Sequence, residues 1–184
     1  AEDIQKEVPE SWMKTPKTAS ELGIKEFDQS PILDEKVTSG KIPEVSKRLP
    51  DDPPVIEPLN NIGEYGGTHK VFQNNLDTIT NSVGMVYPML FRPTPLGRNM
   101  VPSLAKDFEF NKDATVFTLY LRKGLKWSDG MSFTADDFVY WWEAEANNED
   151  LNPISPENWK PIGWEEVEKV DDYTIKIHFT KPNP

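Results

Sequence analysis

Between Phe117 and Trp142 the apolar periodicity switches from two residues to helical spacing, with turn residues at the switch. Thr115, Phe117, Leu119 and Leu121 point one way in an extended chain, and Val116, Thr118, Tyr120 and Arg122 the other. That alternation predicts a strand with one strongly apolar face. Gly124 ends it, and Trp127-Ser-Asp-Gly130 reads as a tight turn in which Asp129 accepts backbone bonds and Gly130 supplies positive φ. Thr134 suits a helix N-cap, with Asp137 three residues on as a shorter form of the capping-box acid. Ala135, Phe138, Val139, Trp142 and Ala146 then form one apolar stripe, leaving Tyr140 opposite it and Trp141 on the flank. The helix is expected to run to Asn147-Asn148. Asp136 and Asp137 invite a reading as paired catalytic carboxylates. Adjacent helical residues diverge by about 100°, so the two do not face one another. Capping and the helix dipole account for both.

The rest of the chain divides into an extension and a body. Residues 1–62 carry eight of the 17 prolines. Short helices are expected near Ile4–Trp12, Ile32–Ser39 and Glu44–Leu49, each bounded by Pro or Gly. Leu49 to Pro58 must be extended, because proline disfavours helix in the residue before it. A flexible tail is one reading of this extension; Trp12, Leu33, Val37, Ile42, Val45 and Leu49 favour the other, an arm lying against the body. The body, residues 63–184, opens with Gly66-Gly67 and a short strand, Thr68–Phe72. A helix is expected over Ser82–Phe91, followed by a loop, Phe91-Arg-Pro-Thr-Pro95. Residues 104–121 read as a hairpin, 148–163 as a loop holding Trp159, and 167–179 as a second hairpin about Asp171-Asp172. Tyr173, Ile175, Ile177 and Phe179 form its apolar face, with His178 on the polar one.

Composition narrows the function classes. A net charge of −11 argues against nucleic acid, since phosphate recognition needs clustered Lys and Arg. The densest basic group, Arg122-Lys123 with Lys126, is expected to line a solvated loop. Cysteine is absent, which removes disulfides, thiolate metal sites and cysteine nucleophiles. No stretch approaches the roughly 20 apolar residues of a membrane span. The two histidines, His69 and His178, have no second ligand at metal spacing. Gly66-Gly67 is no phosphate loop, and no nucleophile elbow is present. These residues predict neither a reaction centre nor a cofactor.

The succession of strand, Gly-punctuated turn and capped helix over 117–142 resembles the signature region of the family 5 solute-binding proteins, the peptide, nickel and oligosaccharide receptors of ABC importers. Gly66-Gly67-Thr68 resembles the start of that family's conserved body, and Leu104-Ala105 to Phe110 its strand before a polar turn. The resemblance covers roughly residues 63–184, and the extension resembles that of a longer branch of the family. It implies an α+β (mixed) fold, one lobe of a periplasmic-binding-protein-like type II architecture with β-hairpins packed on helices. It further implies a periplasmic or extracellular, monomeric receptor that captures peptides or oligosaccharides and docks on membrane permease subunits. Family members are much longer, so the chain is expected to be a fragment holding most of one lobe, beginning at a mature start after leader removal.

The loop after the first body strand resembles the family's cleft-facing segment. Asn74, Asn75, Leu76, Asp77 and Thr78 are therefore the first ligand-binding candidates, able to bond a peptide backbone or sugar hydroxyls. An Asx-rich connector would have the same composition. Tyr140, Trp141 and Trp159 are second candidates, since aromatic faces suit sugar rings and apolar side chains alike; core packing is their other reading. A stand-alone carbohydrate-binding or protein-interaction module, with these aromatics as its platform, is the alternative function.

Overall fold

The computed structural model describes residues 10–58, 60–68, 70, 88–94, 97, 99–151 and 163–183. Its contacts divide the chain into two units, Ala1–Leu104 and Ala105–Pro184.

The second unit is an antiparallel four-stranded sheet with one helix against it. Strands β3 (Ala105–Phe110), β4 (Val116–Leu121), β5 (Trp164–Asp171) and β6 (Thr174–Phe179) are ordered β3-β4-β6-β5. Both hairpins are those that the alternation predicts. Register lines their apolar residues into cross-strand rows. One row is Phe110, Phe117, Ile177 and Val167; the next is Phe108, Leu119, Ile175 and Lys169. Leu119 is 1 % exposed and Ile175 0 %. Helix α3 (Ala135–Tyr140) continues as a π-helical segment, Trp141–Ala146, and packs on β5 and β6. Its buried residues, Ala135, Trp142 and Ala146, lie on the predicted stripe. Both outer strands carry charges along their length, Lys106, Asp107 and Glu109 on β3 and Glu165, Glu166 and Glu168 on β5. Charged edges of this kind discourage further strand pairing.

The turn chemistry also forms as expected. The Gly130 N–H donates to the Trp127 carbonyl at 3.0 Å with φ of 92° at Gly130, and Asp129 accepts the Met131 N–H at 2.9 Å. The Thr134–Asp137 capping box closes, with the Asp137 carboxylate accepting the Thr134 N–H at 2.7 Å. Arg122 departs from expectation: rather than lining a solvated loop it is 4 % exposed and engaged by neighbouring groups. It continues the alternation of the second sheet face by one residue, and Thr118 on that face is buried too. Lys123 and Lys126 are exposed, as a loop position requires.

Among its described residues the first unit contains little regular structure. A 3-10 turn at Pro31–Leu33 leading into α1 (Asp34–Thr38), and α2 (Val45–Arg48), fall where the Pro-bounded windows place helices; of the Ile4–Trp12 window, residues 4–9 lie outside the described residues and the rest is a 3-10 turn, Glu10–Met13. The extended run after Leu49 pairs with an earlier segment. The Val55 N–H donates to the Lys17 carbonyl at 2.8 Å and the Ala19 N–H to the Pro53 carbonyl at 2.9 Å. Ala19 is consequently 2 % exposed.

Three expectations in this unit need correction. The helix over 82–91 does not reach its predicted end: Pro88 to Leu90 are non-helical, and Phe91 begins strand β1 (Phe91–Pro93). The loop expected at 91–95 is thus in part a strand, paired antiparallel with β2 (Met100–Pro102). The competing interaction is backbone pairing, since the Leu90 and Met89 carbonyls accept the Ser103 and Leu104 N–H groups at 2.9 and 3.2 Å. A ribbon this short, with Pro93 and Pro102 in it, has no alternation to reveal it. Thr68 and Lys70 are not in a strand. The remainder of the 68–72 window, and residues 82–87 of the helix window, lie outside the described residues.

Leu119→Ala is expected to cost about 2–5 kcal/mol, as for a large core residue that leaves a cavity, and Thr134→Ala about 1 kcal/mol, as for a lost N-cap. Urea unfolding of each variant measures both. A Leu119→Ala cost below about 1 kcal/mol would show that the cross-strand rows are not the core.

Candidate functional site

Six of the eight ligand candidates, Asn74, Asn75, Leu76, Asp77, Thr78 and Trp159, lie outside the described residues. The other two are consecutive. Tyr140 ends α3 and is 63 % exposed, and Trp141 opens the π-helical segment, half-buried.

The helix loosens at this point for a visible reason. The Asn147 N–H reaches the Trp142 carbonyl, five residues back, at 3.2 Å, and the Asn147 Nδ2 donates to the same oxygen at 2.7 Å. Asn148 donates its Nδ2 to the Ala144 carbonyl at 3.2 Å. Side-chain amides thus take up carbonyls that a helix end leaves unpaired. The wide turn sets the Trp141 and Trp142 rings 6.2 Å apart at 44°. Trp164 of β5 meets both, at 6.0 Å edge-on to Trp141 and 5.9 Å from Trp142, and Phe179 packs edge-on to Trp164 at 6.3 Å. Each such ring pair contributes about 0.5–1.5 kcal/mol beyond its buried area. Trp142 is closed off at 9 % exposure, so the cluster offers solvent part of Trp141, with the Tyr140 phenol beside it in sequence. Sequence reasoning assigned Trp142 to the core stripe and passed over Trp164. The apolar spacing of β5 was the available signal, but a lone aromatic at a strand start does not announce its partner.

The carboxylates beside the helix are structural. Lys169 Nζ stands 2.8 Å from Asp136 on α3 and 2.8 Å from Asp172 in the β5–β6 turn. Hydrogen bonds to Asp136, and then to Asp172, hold its ammonium above the usual lysine range. The Ala135 N–H donates to the Asp172 carbonyl at 2.9 Å, fixing the helix start to the same turn. Asp137, besides capping, accepts the Trp127 Nε1–H at 3.1 Å. Asp171 accepts the Tyr173 N–H at 2.7 Å, and this bond, with help from the Thr174 hydroxyl and Lys123, lowers its carboxyl below the ordinary aspartate value. Across the sheet, the Tyr120 hydroxyl donates to Glu109 at 2.6 Å, which pushes the phenol up. His178 Nε2 lies 2.8 Å from Glu168 on the neighbouring strand. Every one of these groups is satisfied within a hairpin or a cap, and none is aimed at a shared reacting atom. Among the described residues no group of three or more His, Cys, Asp or Glu could hold a metal ion. Among them, too, no helix is long and apolar enough to cross a membrane.

Comparison with known proteins gives the same picture over different spans. Residues 99–184 match the model of the bacterial extracellular solute-binding proteins, family 5 Middle. The periplasmic alpha-galactoside-binding protein of Rhizobium meliloti (strain 1021) is 28 % identical over 183 residues, which cover 88 % of this chain and 26 % of that protein. The periplasmic oligopeptide-binding protein OppA of Escherichia coli (strain K12) is 35 % identical over 97 residues, 45 % of this chain and 18 % of OppA. Among solved structures, an oligopeptide-binding protein OppA superposes with a TM-score of 0.76 at 37 % identity, over 89 % of this chain and 26 % of its own. The periplasmic binding protein MelB of Agrobacterium fabrum C58, solved with stachyose, gives 0.63 at 26 % identity, over 87 % and 28 %. The chain therefore spans about a quarter of the length of the relatives that align along most of it. The mixed, periplasmic-binding-protein-like architecture expected from the sequence is shared with these structures.

Asp171 provides a test of the hairpin electrostatics. A carboxyl lowered on folding contributes stability that is complete above its unfolded value, about pH 4. That contribution is lost as pH falls through the folded value. Asp171→Asn is thus expected to melt below the parent at pH 7, with the two melting temperatures converging as acid protonates the folded carboxyl. A difference that stays constant from neutral to acid pH would assign the effect to something other than the charge.

Proposed function

Because the chain belongs to the bacterial extracellular solute-binding proteins of family 5, we propose that it is part of the substrate-binding component of an ABC importer, capturing peptides or oligosaccharides. The observation that carries this reading is the likeness to OppA, which extends over 89 % of the chain at a TM-score of 0.76. The whole receptor works outside the cytoplasmic membrane, closes around its cargo and hands it to permease subunits; its task is binding rather than chemistry. Both cargo classes stay in play, since the relatives that align along most of the chain are named for alpha-galactoside and oligopeptide binding.

Within this reading residues 1–62 form an extension on a partial N-terminal lobe, 63–184. Asn74, Asn75, Asp77 and Thr78 supply hydrogen bonds to cargo, and Leu76, Tyr140, Trp141 and Trp159 supply apolar or ring contacts. Aromatic faces take either a pyranose ring or an apolar peptide side chain, which is why the aromatics alone do not choose between the cargo classes.

Isothermal titration of the gene product that carries these residues, against tri- to pentapeptides and against stachyose, decides the matter. One class is expected to bind with 1:1 stoichiometry, and Tyr140→Ala to weaken it roughly two- to ten-fold, the worth of one aromatic contact. The 184 residues alone are expected to bind at least about a hundred-fold more weakly, because a partial cleft leaves most of a ligand in water. Failure of both classes to bind the gene product would sink the receptor reading. Submicromolar binding by the 184 residues would instead sink the half-cleft part of it.

A further inference from the structure

The first unit holds a cleft of about 610 Å³ between the segment from Trp12 to Leu22 and the extended run from Val55 to Pro58, with Arg92 of β1 also on its wall. The volume lies within the range of small-molecule sites, roughly 300–1,000 Å³. Its walls are held in place. The Trp12 Nε1–H donates to the Glu57 carbonyl at 2.6 Å, and the Val55 N–H to the Lys17 carbonyl at 2.8 Å. Leu22 and Ile56 remain 44 % and 53 % exposed, so the apolar wall is not covered by the chain's own side chains.

The charged groups on the same walls are Lys14, Lys17 and Arg92 against one carboxylate, Glu57. On a chain of net charge −11 this is a local reversal of sign. A low-dielectric cleft lined by one sign concentrates ions of the other. Arg92 adds chemical direction, since a guanidinium on the wall is the planar fork of donors that carboxylate oxygens match.

We propose that this cleft is a binding site for a small carboxylate with an apolar body, its carboxylate on Arg92 and Lys17 and its body against Trp12, Leu22 and Ile56. The apolar wall supplies most of the contact area, and the positive charges of Arg92 and Lys17 set the orientation. Glu57 disfavours a dianion and keeps the site for a single negative charge. This site stands on the first unit alone and does not rest on the transport reading.

The test is isothermal titration of the full chain at pH 7 with octanoate, octan-1-ol and octylammonium. Octanoate is expected to bind at least ten-fold tighter than either of the others. Arg92→Gln and Lys17→Gln are each expected to weaken octanoate about ten-fold and to leave octan-1-ol unchanged. Lys17 is exposed, so its variant cannot fail merely by unfolding, and far-ultraviolet circular dichroism checks the Arg92 variant. Octanoate and octan-1-ol binding equally would overturn the proposal, as would no octanoate binding at millimolar concentration. So would an octanoate affinity indifferent to both substitutions. Because peptides and stachyose are titrated separately, failure here and failure of the receptor reading are distinguishable.

Discussion

Leu119 and Ile175 are cross-strand partners on the two central strands, at 1 % and 0 % exposure, and most of the second unit follows from that pairing. It forces β4 and β6 into a register in which Phe117 meets Ile177, and it carries the row outward to Phe108 on β3 and Lys169 on β5. A slip by one residue would move every member of both rows to the other face. Helix α3 lies against β5 and β6, with Ala135, Trp142 and Ala146 buried.

Polar chemistry at the β5–β6 turn sets how that helix begins. Asp172 gives its carbonyl to the Ala135 N–H and its carboxylate to Lys169, which also holds Asp136. The capping box then satisfies the first turn from within. These are exposed ion pairs and individually weak. Their effect is geometric: turn, strand and helix start are tied at one corner. The far end of the helix is held by packing instead, through the Trp141, Trp142 and Trp164 rings.

The first unit is held by other means. Its described residues form few regular elements, and extended segments bond to one another, as between Lys17–Ala19 and Pro53–Val55. Such pairing leaves gaps where a helix or sheet would have filled space, and the cleft beside Arg92 is one of them. Its cationic lining on a strongly acidic chain shows how little net charge says about a particular site.

Local chemistry was legible in the sequence wherever a pattern repeats or a motif closes within a few residues. The period of two in 116–121 and 174–179, the Gly130 turn, the Thr134–Asp137 box and the stripe from Ala135 to Ala146 all formed as their spacing requires. What the sequence could not carry was long-range choice. Three residues of β1 are too few to alternate, so its pairing with β2 was invisible. The π-helical widening depends on amides of Asn147 and Asn148 bonding backward, and the tryptophan cluster on a strand start brought beside it by the sheet register. Arg122 and Arg92 make the same point with opposite outcomes, since one guanidinium is buried with partners and the other leaves a buried Nε–H without one. Neighbours in sequence set backbone preference and capping, because those energies act over a turn or less; which side chains share a site is decided by contacts between residues far apart in the chain, and only the folded structure supplies them.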